Sequence, residues 1–195
     1  MCSRYEIIAK PRDLVDRFDL PEMPEIPSEG EVRPTDRALV ITAGRAAAML
    51  TWGLASSWDG KPLINARAET LTEKQTFRPL LESRCLVPAT AYFEWRRDGR
   101  AKLKNRIAPA GAEPFAFAGL TDGTRFTIVT CAPAPAVAAI HHRMPVILDA
   151  ANETRWLDAA QPFSAVRDCL IPYASPLNAA EDRPTVTQPD LFAGF

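Results

Sequence analysis

The residue with the greatest chemical potential in this sequence is Cys2, which directly follows the first methionine. If Met1 is removed, Cys2 carries both a free thiol and a free α-amine, whose unperturbed pKa values are about 8.5 and 7.7–8.0. Such a 1,2-aminothiol reacts with an aldehyde in two steps, because the amine forms an imine and the thiol then closes a thiazolidine ring. An internal cysteine lacks the amine and cannot do this. The alternative is a frayed terminus that holds an arbitrary residue.

A second candidate is the pair of adjacent histidines, His141 and His142, which are the only histidines in the chain. They precede a predicted short strand, and loops in such places often carry binding or catalytic residues. Neighbouring side chains of an extended segment point in opposite directions. At most one of the two is therefore expected to face a given site, and the alternative for both is a structural role.

Glu94 is a carboxylate within a strongly apolar run, Tyr92-Phe93-Glu94-Trp95. In a half-buried strand, alternation places Glu94 on the same face as Tyr92 and away from Trp95. A partly desolvated carboxyl group has a raised pKa, which suits general acid–base catalysis. The alternative is a solvent-facing carboxylate on an edge strand.

A polar segment with Asn65, Arg67 and Glu69 precedes a predicted helix. Helix-start chemistry explains the asparagine, but an arginine is unfavourable there because the helix dipole is positive at that end. Asn65 and Arg67 could instead face phosphate oxygens. Both interpretations stay open on these residues alone.

The elements that must position these groups are mostly short strands. Turn residues and apolar alternation predict strands over residues 39–42, 48–52, 85–88, 91–95, 115–120, 126–130 and 146–148, with a break near Pro88 and a hairpin around Asp122-Gly123. Helices are predicted from Thr70 through about Ser83, after a cap at Asn152, and over residues 164–171. Such a mixture, without β-α-β alternation, predicts one α+β domain of mainly antiparallel sheet over residues 1–178, followed by a tail over residues 179–195.

Composition and charge narrow the function classes. The 195 residues are 47% hydrophobic and contain no run of about 18 apolar residues, so no transmembrane helix is predicted. The charged N-terminus lacks the apolar stretch of a signal peptide, so a cytoplasmic protein is expected, and a monomer is expected as well. Four cysteines without a CxxC pair predict neither a zinc site nor disulfides, and no cofactor is predicted. The net charge of -1 argues against a wholesale non-specific DNA binder but leaves room for a local basic groove.

As an ordered set, several segments resemble the SOS response-associated peptidase family, whose members cross-link to abasic sites in single-stranded DNA. The matching segments are Met1-Cys2-Ser3-Arg4-Tyr5, Pro34-Thr35, Trp52-Gly53-Leu54, Asn65 to Thr70, Arg84 to Pro88 with Phe93-Glu94-Trp95, Ala118-Gly119-Leu120, and His141 to Leu148. One departure lies beside the nucleophile, where Ser3 replaces the glycine usual in the family. The resemblance implies a single α+β domain with curved antiparallel sheets and a few flanking helices.

The resemblance also implies the site residues. Cys2 would form a thiazolidine with the ring-opened sugar, Asn65 would position the amine, Glu94 would be the acid–base group, and His141, rather than His142, would protonate or stabilise the sugar oxygen. The implied DNA-binding residues are Arg4, Pro34, Arg67, Trp95, Thr130 and Arg143. The implied protein senses and protects abasic sites in single-stranded DNA, in the cytoplasm and near the nucleoid. Two alternatives stay open, an N-terminal-nucleophile cysteine peptidase or amidohydrolase and a non-covalent single-stranded DNA binder.

The tail contains a separate motif, Gln188-Pro189-Asp190-Leu191-Phe192. It resembles the pentapeptide by which bacterial proteins bind the replication sliding clamp. Leu191 and Phe192 would fill an apolar pocket of the clamp, and Gln188 would make polar contacts. The alternative is a hydrophobic end that packs back on the domain.

Overall fold

A computed structural model describes residues 2–26, 30–56, 59–111 and 113–182. The strands in these residues are β1 (Tyr5–Ile7), β2 (Gly30–Val32), β3 (Arg37–Ile41), β4 (Ala47–Trp52), β5 (Asn65–Arg67), β6 (Arg84–Ala89), β7 (Ala91–Asp98), β8 (Ala101–Pro109), β9 (Phe115–Thr121), β10 (Arg125–Cys131), β11 (Met144–Pro145), β12 (Ile147–Leu148) and β13 (Leu177–Glu181). The helices are α1 (Pro11–Phe18), α2 (Pro135–Ala138), α3 (Ala150–Leu157) and α4 (Phe163–Val166).

One sheet holds the N-terminal strand in its interior. Its order is β13-β8-β7-β1-β2, and every neighbouring pair in it is antiparallel. Tyr5 of β1 lies opposite Tyr92 of β7 on one side and Val32 of β2 on the other. The chain therefore enters the fold between two strands within a few residues of Cys2.

The second sheet closes into a barrel. Strands β10, β4, β3, β6 and β9 pair in this order, and β9 pairs back to β10. The β10–β4 pair is parallel, the other pairs around the ring are antiparallel, and β5 adds to β10 in parallel. Tyr5 packs edge-on against Trp52 and Phe117, with ring centroids 5.1 and 5.9 Å apart. These buried aromatic contacts join β1 to the barrel and contribute beyond the area they bury.

The architecture confirms the α+β prediction, with mostly antiparallel strands and a few short helices. The predicted hairpin is β9 and β10, joined through Asp122-Gly123, and the predicted pair over residues 39–52 is β3 and β4. No helix among the described residues is long and apolar enough to cross a membrane.

One helix prediction was wrong in its backbone, and a second, which α3 confirms, was wrong only in its cap residue. Residues 70–83 form a series of turns with one 3₁₀ segment, Arg78–Leu80, although Leu71 and Phe77 are buried as the apolar pattern indicated. Pro79 has no N–H to donate and favours a break in a helix. Asn152 is not the cap of α3, because Asp149 holds that position and accepts a hydrogen bond from the Asn152 N–H at 2.8 Å.

Two predicted boundaries near the C-terminus also shift. Residues 163–169 form α4 and then a 3₁₀ turn instead of one helix over 164–171. The predicted boundary after residue 178 falls inside β13, which pairs with β8 from Leu177 to Glu181. This strand is largely exposed, so it lacks the apolar alternation that would have marked it.

Candidate functional site

The N-terminal segment lies along the strand that carries Glu94. The Phe93 N–H donates to the Arg4 carbonyl at 2.9 Å, which continues the β1–β7 pairing toward the terminus. Cys2 is fully buried, and its Sγ lies 3.4 Å from the Arg4 carbonyl oxygen. Burial raises the pKa of the Cys2 thiol, and the nearby Glu94 carboxylate raises it further. The thiol is therefore protonated at neutral pH in the folded chain.

Glu94 occupies the core face of β7. Its side chain is only 3% exposed, which favours the buried interpretation over an edge-strand carboxylate. Burial raises the pKa of Glu94 to about 7. Both the acid and its conjugate base are thus populated near neutral pH, as a proton shuttle requires.

Asn65 fixes the main chain of the N-terminal segment. It is the first residue of β5, which the parallel pairing with Ile128 of β10 holds on the barrel. The Asn65 side-chain amide donates to the Cys2 carbonyl oxygen at 2.8 Å. Its other polar atom, Oδ1, is buried and accepts no hydrogen bond from the described residues. Asn65 therefore positions Cys2 and retains an acceptor for a further N–H or O–H donor.

His141, and not His142, faces the carboxylate. The His141 Nδ1 lies 3.8 Å from the Glu94 Oε1, and His142 is exposed. The same nitrogen lies 3.1 Å from the Arg143 N–H and 3.0 Å from the Arg143 carbonyl oxygen, and these contacts fix the ring. Burial lowers the pKa of His141, so a neutral imidazole is expected at neutral pH.

One cavity is lined by Glu94 and His141, whereas Cys2 and Asn65 are not among its lining residues. Its volume is about 460 Å³, and its lining residues are Ser3, Arg4, Glu94, Trp95, Arg97, Lys102 and His141. A cavity of about 530 Å³ beside residues 21–25 contains none of the predicted catalytic residues. The smaller cavity is the candidate site because it joins a tunable carboxyl group, a neutral histidine and several cations next to the N-terminal segment.

Two predicted phosphate contacts already have partners. Arg143 makes a bidentate pair with Glu69 at 2.7 and 2.9 Å and donates to the Thr130 carbonyl oxygen at 2.6 Å. Arg4 pairs with Glu31 at 2.9 Å and lies over the Trp95 ring, 5.8 Å from its centroid. A phosphate that binds either guanidinium would compete with a carboxylate of the protein.

The remaining predicted contacts differ in their exposure. Arg67 is exposed at the end of β5, and Trp95 is half-buried at the cavity. Thr130 is fully buried and accepts a weak hydrogen bond from Arg143 at 3.3 Å, so its geometry favours a support for Arg143 over a direct contact with DNA. Pro34 is half-buried in the turn before β3 and does not line the cavity.

Arg97 and Lys102 are cavity residues that the sequence reasoning missed. They face each other across the β7–β8 hairpin, whose loop is Gly99-Arg100. The signal was present, because Asp98-Gly99 favours a tight turn and alternation places Arg97 on the face of Trp95. The clamp-binding candidates Gln188, Leu191 and Phe192 lie outside the described residues, and that motif stays a prediction.

Replacing Asn65 with alanine is expected to release the N-terminal segment. Loss of the amide donor leaves the Cys2 carbonyl without this partner, so the buried thiol should become accessible more often. Alkylation of Cys2 by iodoacetamide, followed by peptide mass spectrometry, should accelerate by about 10-fold, the effect of about 1.4 kcal/mol for one lost hydrogen bond. Cys85, which is buried in the barrel, is the internal control and should keep its rate. Equal acceleration at both cysteines would indicate general destabilisation instead.

This chain is similar to known proteins both in sequence and in fold. The family described as SOS response associated peptidase (SRAP) matches residues 1–189. The abasic site processing protein YoqW of Bacillus subtilis is 38% identical over 81% of this chain and 80% of its own length. YobE of the same organism, also described as an abasic site processing protein, is 34% identical over 98% of both chains. The crystal structure of a Bacteroides thetaiotaomicron protein covers 93% of this chain and 92% of its own, with a TM-score of 0.82 at 26% identity.

Proposed function

The chain belongs to the SOS response associated peptidase family, and on this basis we propose that it captures abasic sites in single-stranded DNA covalently through Cys2. Relatives described as abasic site processing proteins support a role in processing damaged DNA. The observation that carries the proposal is that Asn65 holds the Cys2 main chain, while Glu94 and His141 line a cationic cavity together with Ser3 and Arg4, the next residues of the chain. The proposal requires that Met1 be removed, because only then is the nitrogen of Cys2 an amine.

The proposed reaction begins at the amine. The abasic sugar is mostly a closed hemiacetal, and its ring must open to expose the C1′ aldehyde. The Cys2 amine adds to C1′, and loss of water gives an imine. The Cys2 sulfur then bonds to the same carbon while the thiol proton passes to the ring nitrogen. The products are a thiazolidine and one water, so no oxidant or cofactor is consumed.

Burial of the thiol sets this order. The raised pKa of Cys2 makes the thiolate scarce, so sulfur is a poor first nucleophile. Once the imine has formed, its carbon is strongly electrophilic and its nitrogen can take a proton. Ring closure then needs only a thiol held close to that carbon, which the Asn65 contact with the Cys2 main chain supports.

Glu94 and His141 supply the proton transfers. Glu94 can give a proton to the departing hydroxyl group and take one from an attacking group, because both of its forms are populated near pH 7. In the tautomer whose Nδ1 accepts from the Arg143 N–H, His141 carries its proton on Nε2 and can donate it to a sugar oxygen. The same chemistry in reverse would release the lesion.

The peptidase alternative finds less support in this geometry. A cysteine hydrolase needs an activated thiolate and donors that stabilise an oxyanion. Here burial and the Glu94 carboxylate disfavour the thiolate. Covalent capture tolerates a neutral thiol, and the site fits it better.

The test is cross-linking to a single-stranded oligonucleotide with one abasic site. We expect an adduct that survives SDS, and peptide mass spectrometry should assign it to Cys2 with the loss of one water. An oligonucleotide with a tetrahydrofuran abasic analogue, which has no aldehyde, is the control and should give no adduct. Equal non-covalent binding of both oligonucleotides without any adduct would support the non-covalent binder instead. Intact mass of the purified protein reports whether Met1 has been removed.

A further inference from the structure

The outer face of the β7–β8 hairpin is a row of cations around one tryptophan. Alternation places Trp95 and Arg97 on the same face of β7, and their partners across the hairpin are Lys104 and Lys102. Arg4 lies over the Trp95 ring from the neighbouring N-terminal segment. An aromatic ring between cations is the arrangement by which single-stranded nucleic acids are bound, with bases on the ring and phosphates on the cations.

The cations of this face differ in whether a carboxylate neutralises them. Lys104 is paired with Glu31 and Asp182, Arg106 with Glu6, and Arg4 with Glu31. Arg97 and Lys102 are exposed, and neither has a carboxylate partner among the described residues. They are the unneutralised positive charges of the cavity wall, where they line the same space as Glu94 and His141.

The position of these two residues is unfavourable for the hairpin itself. Arg97 and Lys102 are directly opposite each other on neighbouring strands. Like charges in such a cross-strand pair destabilise a sheet, and opposite charges would stabilise it. A bound anion between the two side chains would turn this repulsion into attraction for both. The pair is therefore suited to a ligand with a negative charge.

We propose that Arg97 and Lys102 form a phosphodiester-binding subsite for the DNA that flanks the abasic site on one side. The proposal rests on the proposed function, because it takes the lesion to lie at Glu94 and His141. Arg97 is three residues beyond Glu94, about 10 Å along the strand. Trp95 lies between them, so a base next to the lesion can stack on its ring while its phosphate reaches the cationic pair. The subsite thereby determines on which side of the abasic site the hairpin binds the DNA strand.

Equilibrium binding separates this subsite from the covalent chemistry. Fluorescence anisotropy with a single-stranded oligonucleotide that carries the tetrahydrofuran analogue measures affinity without cross-linking. Each phosphate contact on a single strand contributes about 0.7 to the slope of log K against log salt concentration. The double substitution Arg97→Ala and Lys102→Ala should therefore reduce the magnitude of that slope by about 1.4 and lower the affinity by about 10- to 30-fold at about 0.1 M salt.

Two further variants control for folding and for general charge. Arg100→Ala removes an exposed cation from the loop of the same hairpin, outside the cavity lining, and should change the affinity by less than about 2-fold. Lys102→Glu creates an opposite-charge pair with Arg97, so its melting temperature should stay equal to or rise above that of the wild type. Its DNA affinity should nevertheless be lower than that of Lys102→Ala.

Oligonucleotides with DNA on only one side of the analogue decide whether the pair is a local subsite. The double substitution should weaken binding of one of these two oligonucleotides and leave the other near its wild-type affinity. Equal losses on both sides, or a loss matched by Arg100→Ala, would overturn the proposal. A wild type that binds and cross-links DNA while the double variant keeps its affinity would refute only the subsite. A wild type that binds the analogue but never cross-links would refute only the covalent function.

Discussion

Cys2→Ser is expected to abolish the SDS-stable adduct with abasic single-stranded DNA, a loss of about 10³-fold or more in yield. The substitution keeps the terminal amine and nearly the same side-chain volume. It replaces sulfur by a weaker nucleophile, so the imine can form but no thiazolidine can close. Reduction with borohydride during the reaction should still trap this imine. The readouts are SDS gel electrophoresis with and without borohydride.

A second variant distinguishes the contribution of the Cys2 amine from that of the Cys2 thiol. A protein with an uncleaved N-terminal extension retains the Cys2 thiol but has no amine on that residue. It should form neither the stable adduct nor the borohydride-trapped imine. Cys169→Ala, which removes a buried thiol in a 3₁₀ turn outside the cavity, is the matched control and should keep full yield. A stable adduct of undiminished yield in the extended protein would falsify the aminothiol mechanism.

Glu94→Gln should slow adduct formation by about 10²- to 10⁴-fold, the usual contribution of a general acid–base group. The glutamine keeps the size and polarity of the side chain but cannot exchange a proton. Because the pKa of Glu94 is about 7, the wild-type rate should be greatest near that pH and fall on either side. This maximum should be absent in the variant. Glu73→Gln, at an exposed carboxylate outside the cavity lining, should leave the profile unchanged.

The same substitution should stabilise the fold at alkaline pH. Burial raises the pKa of Glu94 from its ordinary value of 4.5 to about 7, so the folded state binds this proton more tightly than the unfolded state. Below about pH 4.5 both states are protonated and burial of the charge costs nothing. As pH rises to about 7, the unfolded state ionises first and stability falls by about 3 kcal/mol, which Glu94→Gln avoids.

Urea unfolding at pH 4.5 and pH 8 tests whether the stability of the wild type falls with rising pH while that of Glu94→Gln does not. The variant should match the wild type at the lower pH and exceed its free energy of unfolding by about 2–3 kcal/mol at the higher pH. A difference that is equal at both values would mean that Glu94 is not desolvated in the folded chain. The combination of slower chemistry and greater stability is what a group buried for its reactivity should give.

Local sequence pattern pointed to some residues of the candidate site, and the family resemblance supplied the others. The Tyr92-x-Glu94 alternation allowed a partly buried carboxylate beside the edge-strand alternative, and alternation in the extended segment that contains the histidines limited them to one side chain toward a given site. The Asn65 contact with Cys2 could not be derived from pattern, because it depends on the parallel pairing of β5 with β10. The role of Asn65 came from the family resemblance alone.

The predictions from sequence that were wrong or incomplete also have physical causes. The helical spacing was that of Leu71, Phe77, Leu80 and Leu81. The first two are buried, but a series of tight turns can present the same side chains to a core. Strand β13 is held by main-chain hydrogen bonds to β8 and buries little, so its side chains carry no signal. The carboxylates that hold Arg4 and Arg143 are distant in sequence, and only the fold brings them together.

The interior position of β1 has a mechanical consequence for a chain joined to DNA. A force that a motor protein exerts on the cross-linked strand would enter the fold at Cys2 and reach β1 through two residues. There it would load the hydrogen bonds to β2 and β7 on both flanks, together with the packing of Tyr5 on Trp52 and Phe117. The tether is too short to absorb the pull by extension. Extraction of the terminus would therefore require the sheet to open, so an adduct of the proposed kind would resist a pull on the DNA with the strength of the folded core.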